Sequence, residues 1–156
     1  MDKGPTTSVV PAGHRPRLLI ADDDPVVRMV LGGSLERDFD VVGMAADSEE
    51  AIEIARASQP DAALLDVKMP KGGGLLAVRG IHHVAPATAI VMLSGYKSHG
   101  LVRELLQAGA MSYRRKGVAT HVLTEALNES MKAHAAEGLE SAWFDQYCLG
   151  LDRQPR

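Results

Sequence analysis

The sequence predicts a doubly wound α/β domain, in which helices cover both faces of a parallel sheet. Five short apolar runs alternate with five segments of helical periodicity, and this alternation is typical of strand–helix–strand crossovers. The runs AALL at 62–65 and IVML at 90–93 are apolar at every position, as expected for strands that are covered on both faces. A chain of 156 residues with 46% hydrophobic content is the size of one domain and can bury a core.

The order of the elements follows from the same alternation. The predicted strands are RLLIA (17–21), DVVGMA (40–45), DAALLD (61–66), AIVMLS (89–94) and AMSYR (110–114). The predicted helices lie between and after these strands, at 25–38, 48–59, 74–85, 98–110 and 119–136.

Local signals mark where the first two helices begin. Asp24 followed by Pro25 predicts an N-cap and a first helical residue, and either Asp47 or Ser48 can cap the second helix. The pair Gly32–Gly33 weakens the first helix by about 1 kcal/mol per glycine. A helix is predicted nevertheless, because its apolar stripe persists: Val26, Val27, Val30, Leu31 and Leu35.

Composition excludes several classes of protein. The net charge of −3 provides no basic surface for nucleic acid. Cys148 is the single cysteine, which excludes an internal disulfide and a cysteine pair for zinc. No apolar run approaches the roughly 20 residues of a membrane span, and the polar N-terminus lacks the apolar core of a secretory signal. We therefore expect a soluble cytoplasmic protein with a flexible segment at 1–16.

Polar side chains stand where the predicted strands end. The first strand ends at Asp22 and Asp23, the third at Asp66 and the fourth at Ser94, and Lys116 follows the fifth. The carboxyl ends of parallel strands share one edge, where open sheets bind ligands. Clustered carboxylates without histidine suit a hard dication such as Mg²⁺, and the hydroxyl and the amine suit a phosphoryl group. A carboxylate can itself be the nucleophile that forms an aspartyl-phosphate.

Four stretches of the chain resemble the response-regulator receiver domain of two-component signalling. They are LLIADDDP (18–25), DAALLDVKMP (61–70), VMLSGY (91–96) and AGAMSYRRKG (108–117). The similarity covers 17–132, and it implies a CheY-like, flavodoxin-like fold with five helices and the strand order 2-1-3-4-5. The remaining tail, 133–156, is predicted to add an extra C-terminal helix.

The resemblance implies a phosphoacceptor response regulator with a magnesium site. Asp66 would accept the phosphoryl group from a histidine kinase or a histidine phosphotransfer protein. Mg²⁺ would be held by Asp22, Asp23, Asp66 and the backbone carbonyl of Lys68. Asp24 is left with the simpler role of capping the first helix. The domain would assist its own phosphorylation and dephosphorylation and would not be a turnover enzyme.

The resemblance also implies a switch. Ser94 would hydrogen-bond the phosphoryl group, Lys116 would pair with it, and Tyr113 matches the aromatic switch position. The added charge would bias a face formed by the fourth helix, the fifth strand and the fifth helix.

The chain departs from the family pattern at two loops and at its end. Gly117 stands where many members have proline, and the segment KGGG (71–74) suggests a mobile loop after the acceptor. Only about 24 residues follow the receiver-like region, so the target is expected to be a downstream protein or an output domain absent from this chain.

Two side chains are predicted to control the lifetime of the phosphorylated state. Lys68 and Tyr96 each lie two residues after a site residue, Asp66 and Ser94. Neither is suited to orienting an attacking water, so we expect slow self-dephosphorylation.

An enzyme is the alternative interpretation. LLIADDDPV (18–26) also fits the first motif of haloacid dehalogenase-type phosphohydrolases, with Asp22 as nucleophile and Asp24 as general acid/base. No acidic pair follows a strand after Lys116 to complete that family's metal site, and Asp66 would have no role.

The tail has three interpretations. Leu139, Trp143, Tyr147 and Leu151 are spaced by four and share one helical face. This face can cover the chain's own receiver, form a homodimer or partner contact, or begin a linker to an output domain.

Overall fold

The described residues form five strands and five helices that alternate along the chain. The structure, a computed structural model, describes residues 13–95 and 99–151, and the side chains of 13–95 and 100–137. The strands are β1 Arg17–Ala21, β2 Asp40–Ala45, β3 Ala62–Asp66, β4 Ala89–Ser94 and β5 Ser112–Arg115. The helices are α1 Pro25–Leu35, α2 Ser48–Ser58, α3 Gly73–Val84, α4 His99–Ala108 and α5 Thr120–Leu151.

The strands form one parallel sheet in the order β2-β1-β3-β4-β5. This confirms the predicted fold class and the predicted strand order. β3 and β4 lie inside the sheet and are buried at every residue, as their continuous apolar runs indicated. Parallel pairing places the carboxyl ends of all five strands at the same edge.

Two apolar clusters fill the two faces of the sheet, because successive strand residues point to opposite sides. Leu65 and Met92 belong to the cluster beneath α2, α3 and α4. Leu64 and Val91, their neighbours in sequence, belong to the cluster beneath α1 and α5. The sheet is therefore rigidly supported on both faces, and its carboxyl edge is free to carry a site.

The caps of the first two helices are the predicted ones, with one choice now resolved. Asp24 caps α1, where its Oδ1 accepts a hydrogen bond of 2.8 Å from the backbone N–H of Val26. Asp47 rather than Ser48 caps α2, since Asp47 Oδ1 accepts a hydrogen bond of 2.8 Å from the N–H of Glu50. Ser48 is left with a different set of contacts.

The predicted apolar stripe of α1 is only partly buried. Leu35 is fully buried, whereas Val26 and Val30 are 59% and 56% exposed. Gly32 is buried instead, because Met44 of the edge strand β2 lies where a β-carbon would stand. The helix packs through its glycine, which brings it close to β2 and turns the two valines outward.

The C-terminal tail is helical, as predicted, as far as the structure describes it, and it extends α5 instead of forming a separate helix. α5 continues without a break from Thr120 to Leu151, because no proline interrupts the sequence over that range. None of the helices in the described part of the chain combines the length and the hydropathy that a membrane crossing needs.

Three sequence predictions fall on residues outside those described. The flexible segment at 1–16 lies mostly there, Tyr96 lies there, and so do the side chains of the four-residue apolar repeat between 139 and 151.

Candidate functional site

The turn after β1 holds the acidic pair. The side chain of Asp22 is almost completely buried, and Asp23 is exposed. Asp22 Oδ1 accepts a hydrogen bond of 2.9 Å from the N–H of Asp24. Asp24 in turn caps α1. The same tight turn therefore directs the carboxylates of Asp22 and Asp24 to different places. Asp22 points into the site, and Asp24 points toward its own helix.

Arg28 is a residue of this turn that the sequence analysis missed. Its guanidinium donates a hydrogen bond of 2.7 Å to the backbone carbonyl of Asp22. The contact joins the first turn of α1 to the end of β1 and fixes the backbone that carries the acidic pair. No motif indicated it, because an arginine on an amphipathic helix ordinarily faces solvent.

Asp66 ends β3 at the centre of the same edge. The residue is 4% exposed, and its strand is paired in register with β4, where Asp66 lies opposite Leu93. The backbone N–H of Lys68 donates a hydrogen bond of 3.3 Å to Asp66 Oδ1. Burial of the strand on both sides leaves only the carboxylate facing the edge.

Lys116 joins Asp66 to the acidic pair. Its Nζ donates a hydrogen bond of 3.0 Å to Asp66 Oδ2 and lies 2.9 Å from Asp22 Oδ2. Within the described residues, Asp22 Oδ2 accepts no hydrogen bond of regular geometry, so the second contact is an ion pair. The backbone N–H of Lys116 donates to the carbonyl of Ser94 at 2.9 Å, which fixes where the lysine leaves the sheet.

The carboxylates of Asp22, Asp23 and Asp66 form a cluster that could hold a cation. One oxygen from each lies within 4.8 Å of the others. When ionised, the three carboxylates outnumber the single ammonium of Lys116, so the cluster retains an excess of negative charge. Oxygen ligands at this spacing, with one exposed member to admit an ion, suit a hard dication.

The site perturbs the titration of two of its groups. Burial raises the pKa of Asp66, and the negative charge of Asp22 raises it further, although the hydrogen bond from Lys116 opposes both. For Lys116, burial alone would lower the pKa, but the carboxylates of Asp22 and Asp66 outweigh it and raise the pKa. The site therefore favours a charged lysine and resists a charged Asp66.

Of the remaining predicted site residues, the structure describes Ser94, Tyr113 and Lys68. Ser94 is buried at the end of β4, and Tyr113 is partly buried in β5, where it packs against the cluster beneath α2, α3 and α4. Lys68 is exposed on the loop after Asp66. Tyr96 lies outside the described residues.

The loop after Asp66 needs its glycines for its shape. Gly72 and Gly73 have φ angles of 111° and 71°, in the left-handed region that glycine adopts readily. Gly74 has no such angle, but an added β-carbon would lie 2.9 Å from the carbonyl oxygen of Asp66. Gly117 has a φ of 91°, which proline cannot adopt, so the glycine after Lys116 is required by the local backbone.

Comparison with known proteins shows the family to which the chain belongs. The chain matches the family model of the response regulator receiver domain over residues 18–128. It is 41% identical over 113 residues to the transcriptional regulatory protein PdtaR of Mycobacterium tuberculosis (strain ATCC 25618 / H37Rv), an alignment that covers 70% of this chain and 53% of that protein. The chain thus spans about half the length of the curated relatives it matches.

Solved structures give the same result. The response regulator domain of Thermotoga maritima CheB is 30% identical and superposes with a TM-score of 0.70, covering 76% of this chain and 98% of that one. A CheY-like receiver domain protein from Methanospirillum hungatei JF-1 is 28% identical with a TM-score of 0.73, covering 79% of this chain and 98% of that one. The chain therefore belongs to the response regulator receiver domain family.

Proposed function

We propose that Asp66 is the phosphoacceptor of a two-component phosphorelay and that Mg²⁺ assists the transfer. The observation that carries this proposal is the convergence of Lys116 Nζ on Asp66 Oδ2 and Asp22 Oδ2, at 3.0 and 2.9 Å. This arrangement supports phosphoryl transfer to Asp66, because a carboxylate can act as the nucleophile and the adjacent ammonium can stabilise the negative charge of the phosphoryl group.

The residues present fit a bound Mg²⁺. Asp22, Asp23 and Asp66 supply oxygen ligands within 4.8 Å of one another, and the buried Asp22 Oδ2 has capacity for a further contact. The Lys68 carbonyl would complete the protein's share of the ligands. Bound there, Mg²⁺ would neutralise the acidic cluster and offset the negative charge of an incoming phosphoryl group.

The chain's own residues would orient and stabilise the reacting group. Asp66 would attack the phosphorus with one carboxylate oxygen, so that a P–O bond forms as the P–N bond to the donor histidine breaks and the imidazole leaves. The neighbouring strands exclude water from behind Asp66. Lys116 would pair with the phosphoryl oxygens and would give up part of its contact with the Asp66 carboxylate. Ser94, at the end of the adjacent strand, would donate its hydroxyl to the same oxygens.

The phosphoryl donor would be a histidine kinase or a histidine phosphotransfer protein, and the output would be carried by another protein or domain. Curated relatives are named as transcriptional regulatory proteins, and the chain covers about half of their length. The signal would leave the site through Ser94 and Tyr113 to the face formed by α4, β5 and α5. The domain would assist its own phosphorylation without turning over an external substrate.

Mapping of the modified residue tests the proposal. The protein is incubated with acetyl phosphate and Mg²⁺, the acyl phosphate is trapped with borohydride, and the peptides are identified by mass spectrometry. We expect the label on Asp66 and none in the Asp66→Asn variant. A label on Asp22 would instead support the phosphohydrolase alternative and overturn the proposal.

A further inference from the structure

A fully buried hydroxyl outside the acidic cluster is bonded to the loop that follows Asp66. We define the acceptor loop as residues 67–73; its last residue, Gly73, is also the first residue of α3. Ser48 Oγ donates a hydrogen bond of 2.6 Å to the carbonyl of Gly73, and the Ser48 N–H donates one of 3.3 Å to the carbonyl of Pro70. Ser48 is 0% exposed, so water cannot readily replace either bond.

The other end of the acceptor loop is held by the sheet. The N–H of Val67 donates to the carbonyl of Leu93 in β4 at 3.2 Å, and a second bond, from the N–H of Gly74 to the carbonyl of Val67 at 2.8 Å, joins the two ends of the loop. Lys68 therefore lies between one segment that the sheet holds and one that Ser48 holds. Its carbonyl is the ligand that the acceptor loop contributes in the function proposed above.

The turn within the loop needs such support. Lys71 has a φ of 62°, a conformation that is unfavourable for residues with a side chain and persists only where the surroundings hold it. The ion pairs of Lys71 with Asp47 and Glu49, at 3.6 and 3.4 Å, lie on the surface. Exposed pairs of this kind contribute little, so the buried bonds of Ser48 are the stronger restraint.

We propose that Ser48 is a positioning residue for phosphorylation, which holds the acceptor loop so that the carbonyl of Lys68 stays in place for the metal. The proposal rests on the proposed function of Asp66. Residues that support metal ligands typically change metal affinity by about 10- to 100-fold when they are removed. Ser48 acts through the loop backbone, so we expect an effect at the lower end, roughly tenfold.

A matched pair of variants separates this role from general stability. Ser48→Ala removes one buried hydroxyl and its hydrogen bond to a backbone carbonyl, that of Gly73. Thr88→Val does the same at the opposite edge of the sheet, where Thr88 is 3% exposed and its Oγ1 donates to the carbonyl of Pro60 at 2.7 Å. Both variants should lower Tm to a similar extent.

The Mg²⁺ dependence of phosphorylation by acetyl phosphate is then compared. In Ser48→Ala the half-saturating Mg²⁺ concentration should rise roughly tenfold, while the rate at saturating Mg²⁺ stays near that of the wild type. Thr88→Val should keep the wild-type half-saturation. Amide hydrogen exchange of residue 48 and of Gly74, measured without phosphate, should accelerate in Ser48→Ala and remain unchanged in Thr88→Val.

Two results would overturn the role of Ser48 alone. One is a half-saturating Mg²⁺ concentration in Ser48→Ala within about twofold of the wild-type value, when the wild type itself is phosphorylated normally. Such a change lies well below the range for residues that support metal ligands. The other is an equal shift in Thr88→Val. A wild type that takes up no phosphoryl group on Asp66 would overturn the proposed function itself.

Discussion

The ammonium of Lys116 lies 3.0 Å from Oδ2 of Asp66, although the two residues are 50 positions apart in the sequence. The same ammonium lies 2.9 Å from Oδ2 of Asp22. One cation therefore joins the ends of β1 and β3, which are adjacent in the sheet. Without Lys116, the buried carboxylates of Asp22 and Asp66 would lose the positive charge that lies between them.

The first prediction concerns the stability that Lys116 provides. Lys116→Met should lower the free energy of unfolding by about 1.5 kcal/mol without Mg²⁺, since hydrogen bonds to charged groups contribute about this much. The loss should shrink when Mg²⁺ is added, because the dication would replace the missing charge. Urea denaturation with and without Mg²⁺ measures both. Lys71→Met is the control, because its ion pairs are exposed, and an equal loss there would contradict the prediction.

The second prediction concerns the stability cost of the acceptor. The folded protein raises the pKa of Asp66, chiefly through burial, so ionising this carboxyl costs stability in the Mg²⁺-free state. Asp66→Asn should therefore raise Tm at neutral pH without Mg²⁺.

The sign of the pH dependence follows from the raised pKa. Below the unfolded pKa of about 4, Asp66 is protonated in both states, and Asp66→Asn should match the wild type. As the pH rises through the raised folded pKa, the wild type loses stability relative to the variant. Thermal unfolding across pH tests this, and Mg²⁺ should cancel the difference at neutral pH. A variant less stable than the wild type at every pH would refute it.

The third prediction separates two neighbouring carboxylates. Asp23→Ala should weaken Mg²⁺ binding more than Asp24→Ala, because Asp23 belongs to the acidic cluster and Asp24 does not. Asp24→Ala should instead lower the free energy of unfolding by about 1 kcal/mol, since its Oδ1 caps α1 through the N–H of Val26. Calorimetric titration with Mg²⁺ and urea denaturation measure the two effects, and equal losses of affinity would contradict the assignment.

The fourth prediction concerns the lifetime of the phosphorylated protein. Lys68 is exposed on the acceptor loop beside Asp66, where its long side chain can cover the phosphoryl group, and Tyr96 is expected from the sequence to shield the same approach. The double variant Lys68→Asn, Tyr96→Glu should lose its phosphoryl group faster than the wild type, because an amide and an acid can orient an attacking water. The decay of the phosphorylated protein measures this.

A control variant removes a nearby charge that is not expected to change the rate at which the phosphoryl group is lost. Lys71 lies on the same loop, but its side chain pairs with the start of α2. The phosphorylated Lys71→Asn variant should therefore decay at the wild-type rate. A double variant that decays no faster than either would show that the lifetime is set by other residues.

Much of the fold could be predicted because it depends on local pattern. Strands that are apolar up to their last residue, such as β3 and β4, must be covered on both sides, which favours the doubly wound arrangement. The strand-end residues Asp22, Asp66 and Lys116 could be expected to meet, since parallel strands place their carboxyl ends at one edge. Asp24 could be assigned as a cap because a cap depends only on the next few residues.

The tertiary structure decided what depends on contacts between distant segments. Ser48 has the sequence signature of a helix cap, yet its hydroxyl bonds the acceptor loop, because Asp47 already serves α2. Val26 and Val30 have the periodicity of core residues but are exposed, because Gly32 allows α1 to approach Met44. Periodicity shows which residues share a helix face, but the face that is buried depends on which neighbouring element packs most closely against it.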